Sequence, residues 1–172
     1  GGGYLRGELI SVVGGSGVGK SVVLSCIAAS NVLRGKKCLY ISLELSEDRV
    51  AERFDSIMSQ SPIKCLYDNR EEIFVQLEKI VENKQDKNMI VIKHFPSSSA
   101  DINTIRAYMA QCKFYGLIPD VVIVDYIGEM KDYPGPIYDS REKIVKELRG
   151  LAEEENVFMA TAMQPNRGSK EA

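Results

Sequence analysis

The chain has 172 residues, 44% of them hydrophobic, which is enough for one substantial core and too little for two ordinary domains, so a single domain over residues 1–172 is expected. Its 22 basic and 24 acidic residues nearly cancel, so bulk charge advertises neither a nucleic-acid nor a membrane partner, and any DNA contact must be local. No apolar run reaches transmembrane length and no signal-peptide layout opens the chain, which excludes a membrane-spanning helix and predicts a soluble protein.

Taken in order, the chain opens on Gly1-Gly2-Gly3 without a methionine, as though cut from something longer. Leu9 to Val13 is an apolar run rich in β-branched residues and predicts a buried strand; Ser21 to Leu33 then has helical spacing. The alternation repeats. Strands are predicted at Cys38 to Leu43, Met89 to Ile92, Val121 to Val124 and Val157 to Ala162, and helices at Glu47 to Met58, Glu71 to Val81, Ile102 to Phe114 and Arg141 to Glu154. In the last helix Ile144, Leu148 and Leu151 share one face. Ser46 and Asp101 stand where helix caps belong. Lys131 to Ser140, with Pro134, Gly135 and Pro136, and the tail from Pro165 onward read as flexible loops, and Lys170-Glu171-Ala172 ends the chain as abruptly as it began. The pattern predicts an α/β fold, a mainly parallel sheet flanked by helices and truncated at both ends. Cys26, Cys38, Cys65 and Cys112 are widely spaced without a C-x-x-C pair, and read as reduced packing residues of a cytosolic protein.

Gly14-Gly15-Ser16-Gly17-Val18-Gly19-Lys20-Ser21 matches G-x-x-x-x-G-K-S/T between a strand and a helix, the context that confirms a phosphate-binding loop. Backbone N–H groups must curl around phosphate oxygens, which requires glycine at positive φ and at points of close approach. Lys20 is placed for the β- and γ-phosphates and Ser21 for Mg²⁺, beside the positive end of the helix. A dinucleotide-binding G-x-G-x-x-G, with Glu44 on a ribose, fails on spacing: reading from Gly15 and Gly17 puts Lys20 where the third glycine is needed.

Asp120-Val121-Val122-Ile123-Val124-Asp125 carries Asp125 to the carboxyl end of a strand, where a Walker B aspartate holds Mg²⁺. Glu44 ends the second strand and is the first candidate for the base that deprotonates the attacking water, with Glu129, beyond a strand end, as second. Gln164 follows the last strand and could hydrogen-bond the γ-phosphate. His94 has no ligand-type neighbours in sequence and reads as a strand-end residue rather than a metal ligand.

Together, the glycine-rich loop, Ser42-Leu43-Glu44, Ile123-Val124-Asp125-Tyr126 and Gln164-Pro165-Asn166-Arg167 resemble the DnaB family of replicative helicases, especially the T-even phage type, over nearly the whole chain. The resemblance implies a RecA-like P-loop NTPase that hydrolyses ATP with Mg²⁺. It implies a homo-hexameric ring threading single-stranded DNA, with primase and a helicase loader as partners, in the cytoplasm of a bacterial cell or phage-infected host. Lys131, Arg167 and Lys170 become candidate DNA-phosphate contacts. The arginine finger of such helicases lies downstream of the glutamine, outside this chain, and Arg53, which matches an arginine recurring in the family's second helix, reads as structural. Two further readings share the loop, Glu44 and Asp125: a RecA- or RadA-type recombination ATPase that forms filaments, and a KaiC-like ATP-binding switch that moves no DNA.

Overall fold

The computed structural model describes residues 4–82 and 89–165. Among the described residues five parallel strands, β1 (Leu9–Val13), β2 (Cys38–Ser42), β3 (Ile90–His94), β4 (Val121–Asp125) and β5 (Phe158–Met163), form one sheet in the order β1-β5-β4-β2-β3. Five α-helices connect them: α1 (Lys20–Leu33), α2 (Glu47–Ser59), α3 (Arg70–Glu82), α4 (Ile102–Phe114) and α5 (Ile137–Glu155). Every residue of β2 and β4 is buried, which is why both read as continuous apolar runs: each is covered by helices on two faces.

Period-two alternation divides the core. Leu39, Ile41, Val122 and Val124 pack with Ile105 and Met109 of α4 and with Ile144, Leu148 and Leu151 of α5. Cys38, Tyr40, Val121 and Ile123 face the other way, onto Leu24 and Ala28 of α1 and Val50 and Phe54 of α2. The same parity turns Asp125, two residues beyond Ile123, toward α1. In register, Ser42 lies opposite Asp125 and Val13 opposite Met163, so the strands end level and their loops gather along one edge.

Several boundaries differ from the sequence reading for identifiable reasons. Helix α5 begins at Ile137, four residues before the expected start, because Pro136 occupies its N-cap and the fixed φ of proline suits a helix entrance. The segment read as a flexible loop is tied down as well. Ser140 Oγ accepts from the Tyr133 N–H at 2.8 Å and donates to Asp132 at 2.9 Å, while Lys143 lies 3.8 Å over the Tyr133 ring. Asp101 caps α4 in a reciprocal capping box with Thr104. Ser46 takes the N-cap position of α2 but its side chain makes no capping bond. Cys38 and Cys112 are buried as expected, and burial pushes both thiols above their ordinary range. Cys26 is exposed, so the packing role expected of it does not hold. Among the described residues no helix is long and apolar enough to cross a membrane.

Candidate active site

The loop after β1 is shaped by its glycines. Gly17 and Gly19 have φ of +75° and +89°, where a Cβ is strained, and a Cβ on Gly14 would lie 2.8 Å from Val18 Cγ2. Gly14 N–H donates to the Met163 carbonyl at 3.2 Å, tying the start of the loop to the strand that leads to Gln164. Gly19 is the N-cap of α1 and makes no side-chain cap bond. The first-turn N–H groups therefore stay open to an anion at the positive end of the helix. Lys20 is only 9% exposed, and its Nζ donates to the Gly15 carbonyl at 2.6 Å. That bond folds the ammonium back over the loop.

Asp125 is 2% exposed at the end of β4. Because its side chain faces α1, Ser21 Oγ donates to Asp125 Oδ1 at 2.9 Å, and from the neighbouring strand Tyr40 Oη donates to Oδ2 at 2.7 Å. Burial, then the Asp125 charge, push the Tyr40 hydroxyl well above its ordinary range, so it remains a donor. Ser21 and Asp125 fit Mg²⁺: both offer hard oxygen donors, and two of them leave most of an octahedral shell to water and phosphate. Among the described residues there is no cluster of three or more His, Cys, Asp or Glu able to cage a metal.

Glu44 lies just past β2. Ser42 Oγ donates to the Leu45 carbonyl at 2.6 Å and accepts from its N–H at 3.0 Å, bending the chain into a tight turn that leaves Glu44 exposed between them. A cavity of about 360 Å³ opens among these loops. It is lined by Ser16, Gly17, Gly19, Lys20, Ser21, Val22, Glu44, Leu45, Arg53, Tyr126 and Gln164. Five separated stretches of sequence thus meet in one place. Gly14, Gly15 and Val18 are not in the lining, and Val18 is exposed.

Glu129, the second candidate base, is absent from the lining, and both its carboxylate oxygens are engaged, by Tyr126 at 2.8 Å and by Ser97. His94 ends β3 and its N–H donates to Glu47 at 3.1 Å, a strand-end role as expected. Lys131 is exposed beyond β4, away from the cavity, while Arg167 and Lys170 lie outside the described residues.

Arg53 reads as structural in sequence. It lines the cavity, and its Nη1 is buried without a hydrogen-bond partner. Val50, Arg53, Phe54 and Ile57 recur at helical spacing, so a cation falls on the inward side of α2. That signal was in the sequence. Tyr40 was also missed, though its strand parity matches that of Asp125.

A second cleft of about 400 Å³ includes Arg6, Arg34, Lys36 and Asp120. It opens at the amino ends of the strands, whereas ligands of open parallel sheets bind at the carboxyl ends, where the glycine-rich loop and the carboxylates lie.

Comparison with known proteins places the chain in a family. Residues 1–172 match the family described as DnaB-like helicase C terminal domain. The chain is 33% identical over 172 residues to a DnaB-like replicative helicase of Enterobacteria phage T4, covering 95% of this chain and 36% of that protein. A shorter match, 34% over 94 residues, links it to the DNA repair protein RadA of Campylobacter jejuni, across 54% of this chain and 20% of RadA. Among solved structures, one of a DnaB-like replicative helicase and its interactions with primase superposes with a TM-score of 0.76 at 16% identity, over 98% of this chain and 41% of that one. That likeness shows the fold. The chain spans about a third of the length of the phage T4 relative.

Proposed function

This chain belongs to the DnaB-like helicase C-terminal domain family, and on that footing we propose that residues 1–172 are a single ATP-hydrolysing motor domain of a ring-shaped replicative DNA helicase. The observation that carries the reading is the convergence of Lys20, Ser21, Glu44, Arg53 and Gln164 on one cavity, with Asp125 bound to Ser21 behind it. Lys20 and the loop amides take the β- and γ-phosphates of MgATP, and Ser21 with Asp125 holds Mg²⁺. A bound Mg²⁺ supplies charge neutralisation on the phosphate oxygens. Glu44 accepts a proton from the water that attacks the γ-phosphorus, the β–γ bridging oxygen leaves on ADP, and Gln164 sits where the γ-phosphate is gained and lost. In the assembled protein the partners are single-stranded DNA, five further copies of the chain in a homo-hexamer, a primase and a loader. Lys131, Arg167 and Lys170 are its DNA-facing cations.

The RecA- or RadA-type reading shares the loop and carboxylates, but the Campylobacter RadA match covers 54% of this chain while the helicase match covers 95%. The test pairs two variants. Lys20→Ala loses most MgATP affinity and all turnover, because the charge compensating the phosphates is gone. Glu44→Gln keeps MgATP affinity and loses turnover, because an amide occupies the site without accepting the proton. Unchanged hydrolysis in Lys20→Ala contradicts the loop assignment. Full turnover in Glu44→Gln, with Glu129→Gln inactive instead, contradicts the choice of base.

A further inference from the structure

Tyr126 lines the phosphate cavity, yet the chemistry above gives it no part. Its hydroxyl donates to Glu129 Oε1 at 2.8 Å, on a 3₁₀ turn at Ile127–Glu129. Direction follows from charge, since an ionised carboxylate only accepts. Glu129 is itself fastened from the loop after β3: Ser97 Oγ donates to its other carboxylate oxygen, and Ser98 N–H donates to its carbonyl at 2.8 Å. With its hydrogen committed, the phenol oxygen has lone pairs to offer, and Gln164 Nε2 faces it at 3.5 Å across the strand ends. The ring has a made seat as well. A Cβ on Gly128 would fall 2.3 Å from Tyr126 Cε2, so that position has room for glycine and no larger residue while the ring stays put.

We infer that Tyr126 is a positioning residue for Gln164: anchored by Glu129 and seated on Gly128, it holds the Gln164 amide nitrogen and keeps that amide aimed into the γ-phosphate end of the cavity. Glu129 then serves as the anchor, which explains a carboxylate so near the site with a protein donor on each of its two oxygens. The anchor also reaches the DNA-facing side, because Lys131 N–H donates to the Ala100 carbonyl at 2.8 Å on the loop that supplies Ser97.

The inference rests on the nucleotide reading, and the experiment separates the two. Steady-state kcat and KM for MgATP are measured in the full-length protein for wild type, Tyr126→Phe, Gln164→Ala and the double variant, with melting temperatures alongside. Tyr126→Phe keeps the ring in its seat and removes only the relay oxygen. It is expected to lower kcat about tenfold, the rate equivalent of one hydrogen bond, with KM within about twofold. Residues acting as one unit are not additive, so the double variant should be no slower than Gln164→Ala alone. Glu129→Ala should reproduce the loss without touching the ring, and Glu129→Gln, whose amide oxygen still accepts from the phenol, should recover most of it. A double variant as slow as the two single effects multiplied overturns the inference, as does a Glu129→Ala rate within twofold of wild type. Wild-type turnover indifferent to Lys20→Ala would instead remove the nucleotide reading, and the inference with it.

Discussion

Replacing Tyr40 with phenylalanine deletes one buried oxygen and leaves the ring against Phe54, with which it makes an edge-on contact at 5.5 Å between centroids. The oxygen donates to Asp125 Oδ2 at 2.7 Å and lies 3.4 Å from Ser25 Oγ. Asp125 is 2% exposed, so water does not readily take the vacated place, and the carboxylate keeps Ser21 as its hydrogen-bond donor. A hydrogen bond to a charged group contributes about 1.5–3 kcal/mol, and orphaning a buried acceptor falls in the same range, so a loss of about 2 kcal/mol is expected. For a domain of this size that is a fall in Tm of roughly 4–8 °C. Urea denaturation of wild type, Tyr40→Phe, Asp125→Asn and the double variant gives the cycle. With the charge removed in Asp125→Asn, the Tyr40→Phe step should cost only about 1 kcal/mol, an ordinary neutral hydrogen bond. A cost below about 0.5 kcal/mol in the native background, or equal costs in both, would refute the claim that Tyr40 stabilises the Asp125 charge.

Two other perturbations test neighbouring parts of the account. Arg53→Ala should weaken MgATP about tenfold more than MgADP in equilibrium titrations, since Arg53 lines the cavity with the phosphate loop and its buried Nη1 has no hydrogen-bond partner; equal weakening of both nucleotides would favour a structural role for Arg53. Asp101→Ala should cost about 1 kcal/mol at pH 7 as a lost helix cap. The Thr104 N–H holds the Asp101 carboxyl below its ordinary 3.8, so its stabilisation is complete above that pH and fades as pH falls through the lowered value. Wild type and variant should then converge in acid, and an undiminished gap there would contradict the charged cap.

The parts of the fold that sequence made legible are those where one local rule dominates. Unbroken β-branched runs marked β2 and β4 because parallel strands are covered on both faces, and G-x-x-x-x-G-K-S marked the loop because each glycine answers a backbone requirement. The start of α5 was hidden because Pro-Gly-Pro reads as a loop whether or not proline is capping a helix. Arg53 and Tyr40 were hidden for a different reason: a cation on the inward side of a helix, or a phenol on a strand of matching parity, gains meaning only when the facing element is known. Glu129 shows the limit from the other side. Its sequence position fits a base as well as an anchor, and the hydrogen bonds from Tyr126 and Ser97 that favour the anchor are not visible in sequence.

On the proposed function, this chain is one subunit's share of a DNA-driven ATPase, completed by neighbours. An arginine supplied in trans can be worth roughly 10³–10⁵ in rate, and a few phosphate contacts from one subunit hold DNA only marginally at physiological salt. The most direct measurement is the ATP hydrolysis rate of residues 1–172 and of the full-length protein, each with and without single-stranded DNA at fixed salt, with sedimentation recording the oligomeric state. Slow, DNA-indifferent hydrolysis is expected of the 172-residue chain, and strong stimulation by DNA of the full-length oligomer. A monomeric 172-residue chain hydrolysing ATP at the full-length protein's DNA-stimulated rate would contradict it.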